Sequence, residues 1–168
     1  MNIETERLQL IPIRADKFDD VYKVLTDEFV RKYLCDDTIL SKNQIQSFIE
    51  TSDETFYSKQ YGLWGIYAKD NNSMMGLSGL WHFFDQNQPQ LLYALLPGYT
   101  KLGYAKEASS ALIKYAFKQL GFTYLDASCD TPNRESHKIA LSIGMKKVKE
   151  EIIEDKPLTF YRLNSSEI

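Results

Sequence analysis

A chain of 168 residues, 43% hydrophobic, 13% aromatic and 26% charged, has the length of one domain and the composition of one that packs a core. Those figures exclude a disordered chain and a multidomain enzyme. The net charge of −3, with Lys and Arg scattered along the sequence, supplies no basic face for a nucleic-acid backbone.

Cys35 and Cys129 stand far apart with no CxxC or Cys/His spacing, so neither a disulfide framework nor a metal site is expected. Both read as buried small residues in a reducing compartment. The opening MNIETERLQL has no apolar stretch behind a basic start, and no window reaches the roughly 18 apolar residues of a membrane span. The expectation is a cytoplasmic protein with no membrane partner.

The first predicted element is a strand over Arg7 to Ile13, with Leu8 and Leu10 on one side and Gln9, Ile11 and Ile13 on the other. Phe18, Val21, Tyr22 and Leu25 then fall at helical spacing, which predicts a helix over Asp16 to Thr26. Ser41 can cap a second helix carrying Ile45, Phe48 and Ile49 and running toward Phe56. From Tyr61 the period becomes two, and the Asp70 to Ser73 turn leads into a hairpin partner over Met74 to Phe84.

Gln90 to Leu96 is an apolar run of the length of a strand buried on both faces. Pro97 and Gly98 end it. A helix follows over Gly103 to Leu120, its stripe made by Ala105, Ala108, Leu112, Tyr115, Ala116 and Leu120 and closed by Gly121. Phe122 to Cys129 returns as a strand, and Thr131 or Asn133 caps a helix to Ile143, with Pro132 in its first turn and Gly144 as its left-handed stop. Two strands, Met145 to Ile153 and Leu158 to Leu163, close the chain around a turn at Asp155, Lys156 and Pro157. The prediction is one α/β (α+β) domain over 1–168, a mixed sheet of about seven strands flanked by about four helices.

The chemistry concentrates in Leu95 to Ala108. A buried strand that runs through a Gly-containing loop into an amphipathic helix aims several backbone N–H groups, and the positive end of a helix dipole, at one point. A diphosphate is the natural ligand there. The competing reading is that Gly98 and Gly103 only turn the chain. There is no GxGxxG and no Gly-Lys-Ser/Thr, so a dinucleotide or nucleoside triphosphate is not indicated.

The run P-G-Y-T-K-L-G-Y-A-K-E-A at 97–108, then N-R-E-S at 133–136 and I-G-M at 143–145, resembles the acetyl-CoA loop and following elements of the GCN5-related N-acetyltransferases. The likeness is closest to their ribosomal-protein (RimJ/RimL-like) branch, whose first strand T-x-R-L-x-L is also similar to T-E-R-L-Q-L at 5–10. The resemblance implies their fold, with two parallel strands splayed at the acetyl-CoA site, and transfer of an acetyl group from acetyl-CoA to a primary amine. That amine is a protein N-terminus or a small molecule. The alternative is a degenerate member that binds acyl-CoA or a partner without turnover. A monomer and a homodimer are both compatible with the sequence.

The same resemblance implies cofactor contacts from Leu95, Leu96, Lys101, Leu102, Gly103, Tyr104 and Ala105, and from Asn133 and Ser136 beside the pantetheine arm and sulfur. The backbone around Tyr93 to Leu95 would face the thioester oxygen. Three departures accompany it: Gly98 stands in a Gln/Arg place, Lys101 in the first glycine place, and Thr100 where tryptophan is usual. Lys101 there costs of the order of 1 kcal/mol if its φ must be positive, offset by a charge-assisted contact to the diphosphate. Ala140 stands where other branches place a tyrosine acid, which leaves Ser136 as the proton donor. The base that frees the amine is unnamed by any motif; His82, Glu50 and Glu54 are the candidates, against a structural reading of His82 and a solvated one of His137. Trp64, Trp81, Phe83, Phe84, Tyr93 and Tyr99 are candidates for an acceptor pocket or for core.

Overall fold

The computed structural model describes residues 1–168. Eight strands form one sheet: β1 (Ile3–Glu4), β2 (Leu8–Pro12), β3 (Leu63–Ala68), β4 (Met74–Trp81), β5 (Gln90–Leu95), β6 (Tyr124–Asp130), β7 (Lys146–Ile153) and β8 (Lys156–Asn164). Five α-helices accompany them: α1 (Phe18–Thr26), α2 (Glu28–Leu34), α3 (Lys42–Lys59), α4 (Tyr104–Lys118) and α5 (Arg134–Ser142). The strand order is β1-β2-β3-β4-β5-β6-β8-β7, antiparallel throughout except for the parallel pair β5 and β6.

Alternation in β2 buries Leu8, Leu10 and Pro12 while Gln9 and Ile11 stay half-buried, as the period-two reading requires. Two hydrophobic clusters cover the faces of the sheet. One gathers Leu8, Leu10, Trp64, Leu91, Leu95, Leu112 and Leu125 with α4 and α5. The other gathers Ile13, Val21, Val24, Ile45, Ile49, Leu77, Leu92 and Leu96 with α1, α2 and α3. Successive residues of β5 thus feed opposite cores, and for that reason its sequence has no charged or strongly polar residue from Leu91 to Leu95.

Caps fix the helix starts. Ser41 and Gln44 form a reciprocal capping box on α3, and the Asn133 side chain accepts from Ser136 N–H at the head of α5. Gly121 and Gly144 follow α4 and α5 at φ of 72° and 90°.

The boundaries correct several expectations. The expected mixed sheet flanked by helices is present, with eight strands and five helices against about seven and about four, because the two-residue β1 and the seven-residue α2 carry too few residues for a period to emerge. Asp27 accepts from the N–H groups of Phe29 and Val30, and this cap starts α2. The segment from Ala15 to Lys17 is a 3-10 turn, with α1 starting only at Phe18. Strand β4 stops at Trp81 rather than Phe84, and β6 starts at Tyr124 rather than Phe122. Pro132 precedes the Asn133 cap instead of lying in the first turn of α5. Glu154 and Asp155, at φ of 49° and 64°, make the final turn, so Lys156 and Pro157 belong to β8. Cys35 and Cys129 are half-buried, not buried.

Candidate functional site

The parallel pair β5 and β6 meets in register at one place, Gln90 with Asp126, and diverges from there. Leu96 N–H bonds back to Met75 on the β4 side. By the alternation of a strand, the N–H and C=O groups of Tyr93 and Leu95 therefore point toward β6, which has moved out of reach. Tyr93 and Ala94 are half-exposed in an otherwise buried strand, the signature of this gap.

Beyond β5 the chain passes through a 3-10 turn at Pro97–Tyr99 and enters α4 through Gly103 in the left-handed region at φ 83°. The first helical bond of α4 runs from Glu107 N–H to Gly103. The N–H groups of Lys101, Leu102, Gly103, Tyr104, Ala105 and Lys106 have no acceptor within the protein. Consecutive free amides at a helix N-terminus are an anion-binding arrangement.

Lys101 adopts φ 61°, so the sequence-level concern about a non-glycine residue there is a real strain. Lys101→Gly is expected to raise the melting temperature by roughly 1–4 °C, measured by calorimetry, since relief of about 1–2 kcal/mol is partly cancelled by the extra entropy of glycine. A fall instead would mean that the lysine stem makes a compensating contact.

Behind the loop stands a network that local sequence patterns do not reveal. Glu107 accepts from Thr5 Oγ1 at 2.6 Å, from Arg7 N–H at 2.8 Å and from Arg7 Nε at 2.7 Å. Arg7 also donates to the Leu102 carbonyl at 3.0 Å and lies 4.5 Å over the Tyr104 ring. Burial pushes the Glu107 carboxyl up, but the hydrogen bonds from Thr5 and Arg7 and the Arg7 charge outweigh it and hold the group below its ordinary value. The partners sit about 100 residues apart in sequence, beyond any local pattern.

The remaining candidates fall in two groups. Asn133, Ser136 and Tyr93 come together across the gap: Asn133 Nδ2 donates to Ser136 Oγ at 2.9 Å, and Tyr93 Oη donates to the Ser136 carbonyl at 3.0 Å. Burial drives the Tyr93 hydroxyl far up from its ordinary value, and its proton is already given to a carbonyl. Tyr93 is thus a strut between β5 and α5, while the hydroxyl proton of Ser136 remains free.

His82 lies one residue past β4, level with the paired end of β5 and apart from that group. Its Nδ1 faces the Gln86 carbonyl at 3.1 Å and its Nε2 the Tyr61 hydroxyl at 3.0 Å. A carbonyl only accepts, so Nδ1 carries the proton and Nε2 accepts from Tyr61. Both nitrogens are engaged. Glu50 and Glu54 lie on the exposed side of α3.

His137 is not on a solvated face. Its Nε2 donates to the Thr131 carbonyl at 2.8 Å and its Nδ1 accepts a hydrogen bond from the Tyr161 hydroxyl, because β8 brings Tyr161 beside β6. Cys129 adjoins His137, and burial pushes its thiol up to about 12, which makes it inert as a nucleophile at neutral pH. Of the aromatics, Trp64 is fully buried core and Phe83 is exposed.

One splayed parallel pair, and a run of free amides at the start of the helix that follows, make a site shaped for an anion joined to an extended arm. Residues 7–146 match the model of the acetyltransferase (GNAT) domain, and the chain belongs to that family. It is 26% identical over 147 residues to the uncharacterized N-acetyltransferase YoaA of Bacillus subtilis, covering 86% of this chain and 82% of that one. An acetyltransferase structure from Agrobacterium tumefaciens superposes with a TM-score of 0.85 at 21% identity, over 98% and 95% of the two chains. RimL, a ribosomal L7/L12 α-N-protein acetyltransferase solved with coenzyme A, gives 0.81 at 13% identity over 98% of each. No helix is long and apolar enough to cross a membrane.

Proposed function

We propose that the protein is an N-acetyltransferase that takes the acetyl group from acetyl-CoA and passes it directly to a primary amine. The observation that carries this reading is the run of acceptor-free amides from Lys101 to Lys106 beside the β5/β6 gap. Those amides suit a diphosphate, and the Tyr93 and Leu95 N–H groups suit the pantetheine arm and the oxygen of a thioester, where negative charge grows as the amine attacks. RimL with coenzyme A supports the same ligand class.

In this reading Leu95 and Lys101 to Ala105 hold the cofactor by main chain, whereas Leu96, expected from the sequence to join them, has its N–H on the Met75 carbonyl and its own carbonyl on Tyr99 N–H. Asn133 spends its amide on Ser136, so the hydroxyl of Ser136 is polarised and its proton is available to the departing sulfur. Tyr93 sets the separation of β5 and α5 and takes no proton. Both nitrogens of His82 are engaged and Glu50 and Glu54 lie on the exposed side of α3, so we assign acceptance of the amine's proton to water, which returns a proton to Ser136.

Acetyl-CoA at about 100 times its dissociation constant is expected to stabilise the fold by about 2.7 kcal/mol, a rise of roughly 5–10 °C in melting temperature, with free CoA acting similarly and ATP not at all. No shift with saturating acetyl-CoA would end the acetyltransferase reading. A shift without thiol release across a panel of primary amines would favour a binding protein over an enzyme.

A further inference from the structure

We propose that Arg7 is a positioning residue for the diphosphate cradle, a role that rests on the acetyl-CoA reading above. Its guanidinium sits outside the cradle, yet it touches three residues of the loop and first helical turn that form it: the Leu102 carbonyl, the Tyr104 ring and the Glu107 carboxylate.

Three physical effects follow. A trans peptide is planar with its C=O and N–H opposed, so the hydrogen bond that holds the Leu102 carbonyl toward Arg7 turns the Gly103 N–H away from Arg7, into the set of free amides. The second effect concerns Gly103 itself. A Cβ there would lie 3.2 Å from Arg7 Nη2, so the guanidinium and the left-handed backbone together hold this residue to glycine. The third is electrostatic: Glu107 is in the first turn of α4, where an unpaired carboxylate would repel an anion, and Arg7 pairs with it.

Lysine cannot replace these functions at once. It has one compact charge, whereas the Arg7 fork bonds a carboxylate and a carbonyl while its plane covers an aromatic ring. The outer edge of the sheet thus orients a site three strands away, since Arg7 is in the β1–β2 connection and its own carbonyl accepts from Lys69 N–H.

The test titrates the wild type, Arg7→Lys and Arg7→Gln with acetyl-CoA and with S-acetylpantetheine, which keeps the acetylated arm and lacks the diphosphate. Melting of each ligand-free protein is recorded alongside. Positioning of the cradle predicts at least a tenfold loss of acetyl-CoA affinity in both variants, with S-acetylpantetheine affinity unchanged within twofold. Equal losses for the two ligands, no loss for either, or variants that are unfolded without ligand would each overturn the role. If the wild type binds S-acetylpantetheine and acetyl-CoA equally well, the cradle does not bind the diphosphate and this proposal fails alone. If the wild type binds neither, the acetyl-CoA reading itself fails, and the role of Arg7 with it.

Discussion

Gly103→Ala is expected to weaken acetyl-CoA binding by about 10- to 100-fold while the protein remains folded. Alanine at φ 83° is strained, and its Cβ meets Arg7 Nη2 at 3.2 Å, so the loop must rotate or push the guanidinium aside. Either movement re-aims the Gly103 N–H and its neighbours. Loss of one or two hydrogen bonds to a charged group, at about 1.5–3 kcal/mol each, sets the magnitude. The measurement is a calorimetric titration, with Gly98→Ala as the control: nothing lies within 4 Å of a Cβ there and no positive φ is required, so its affinity should match the wild type. Undiminished binding by Gly103→Ala would place the diphosphate away from these amides.

The second large effect is on stability. A Cβ at Gly76 on β4 would overlap the Ala94 carbonyl oxygen and lie 2.9 Å from the Leu95 Cα, both backbone atoms of β5. No rotamer change relieves such a clash; the β4–β5 ladder must open. Gly76→Ala is therefore expected to cost about 3 kcal/mol or more, a fall of roughly 6–12 °C in melting temperature. Because Ala94 and Leu95 border the gap, the surviving folded protein should also bind acetyl-CoA less tightly. A melting temperature within 2 °C or so of the wild type would show that β5 yields easily at this point.

What the sequence disclosed and what it concealed divide along physical lines. Ser41 and Asn133 as caps, and the helix-ending Gly121 and Gly144, act within a few residues of themselves, so their roles were legible. The apolar run from Gln90 to Leu96 and the loop from Pro97 to Gly103 were legible for the same reason. His137 was misread because its partner Tyr161 arrives from β8, and only strand pairing brings the two together. Arg7 and Glu107 were silent: two opposite charges 100 residues apart have no pattern until the chain folds. Helix α2 was missed although Asp27 is a good cap, since seven residues give barely two turns of periodicity.

The single bridge between Gln90 and Asp126 has a mechanical consequence. Hydrogen-bond ladders lock strands in discrete registers, whereas side-chain packing yields gradually. Strands β1 to β5 and strands β6, β8 and β7 are therefore two plates hinged at one end, with the aperture between them set by the apolar cluster under α4 and α5 and by the Tyr93 strut. A molecule that bonds to the exposed edge of β5 replaces the ladder missing there. Such a guest stiffens the protein along the line where its own backbone is least cross-linked.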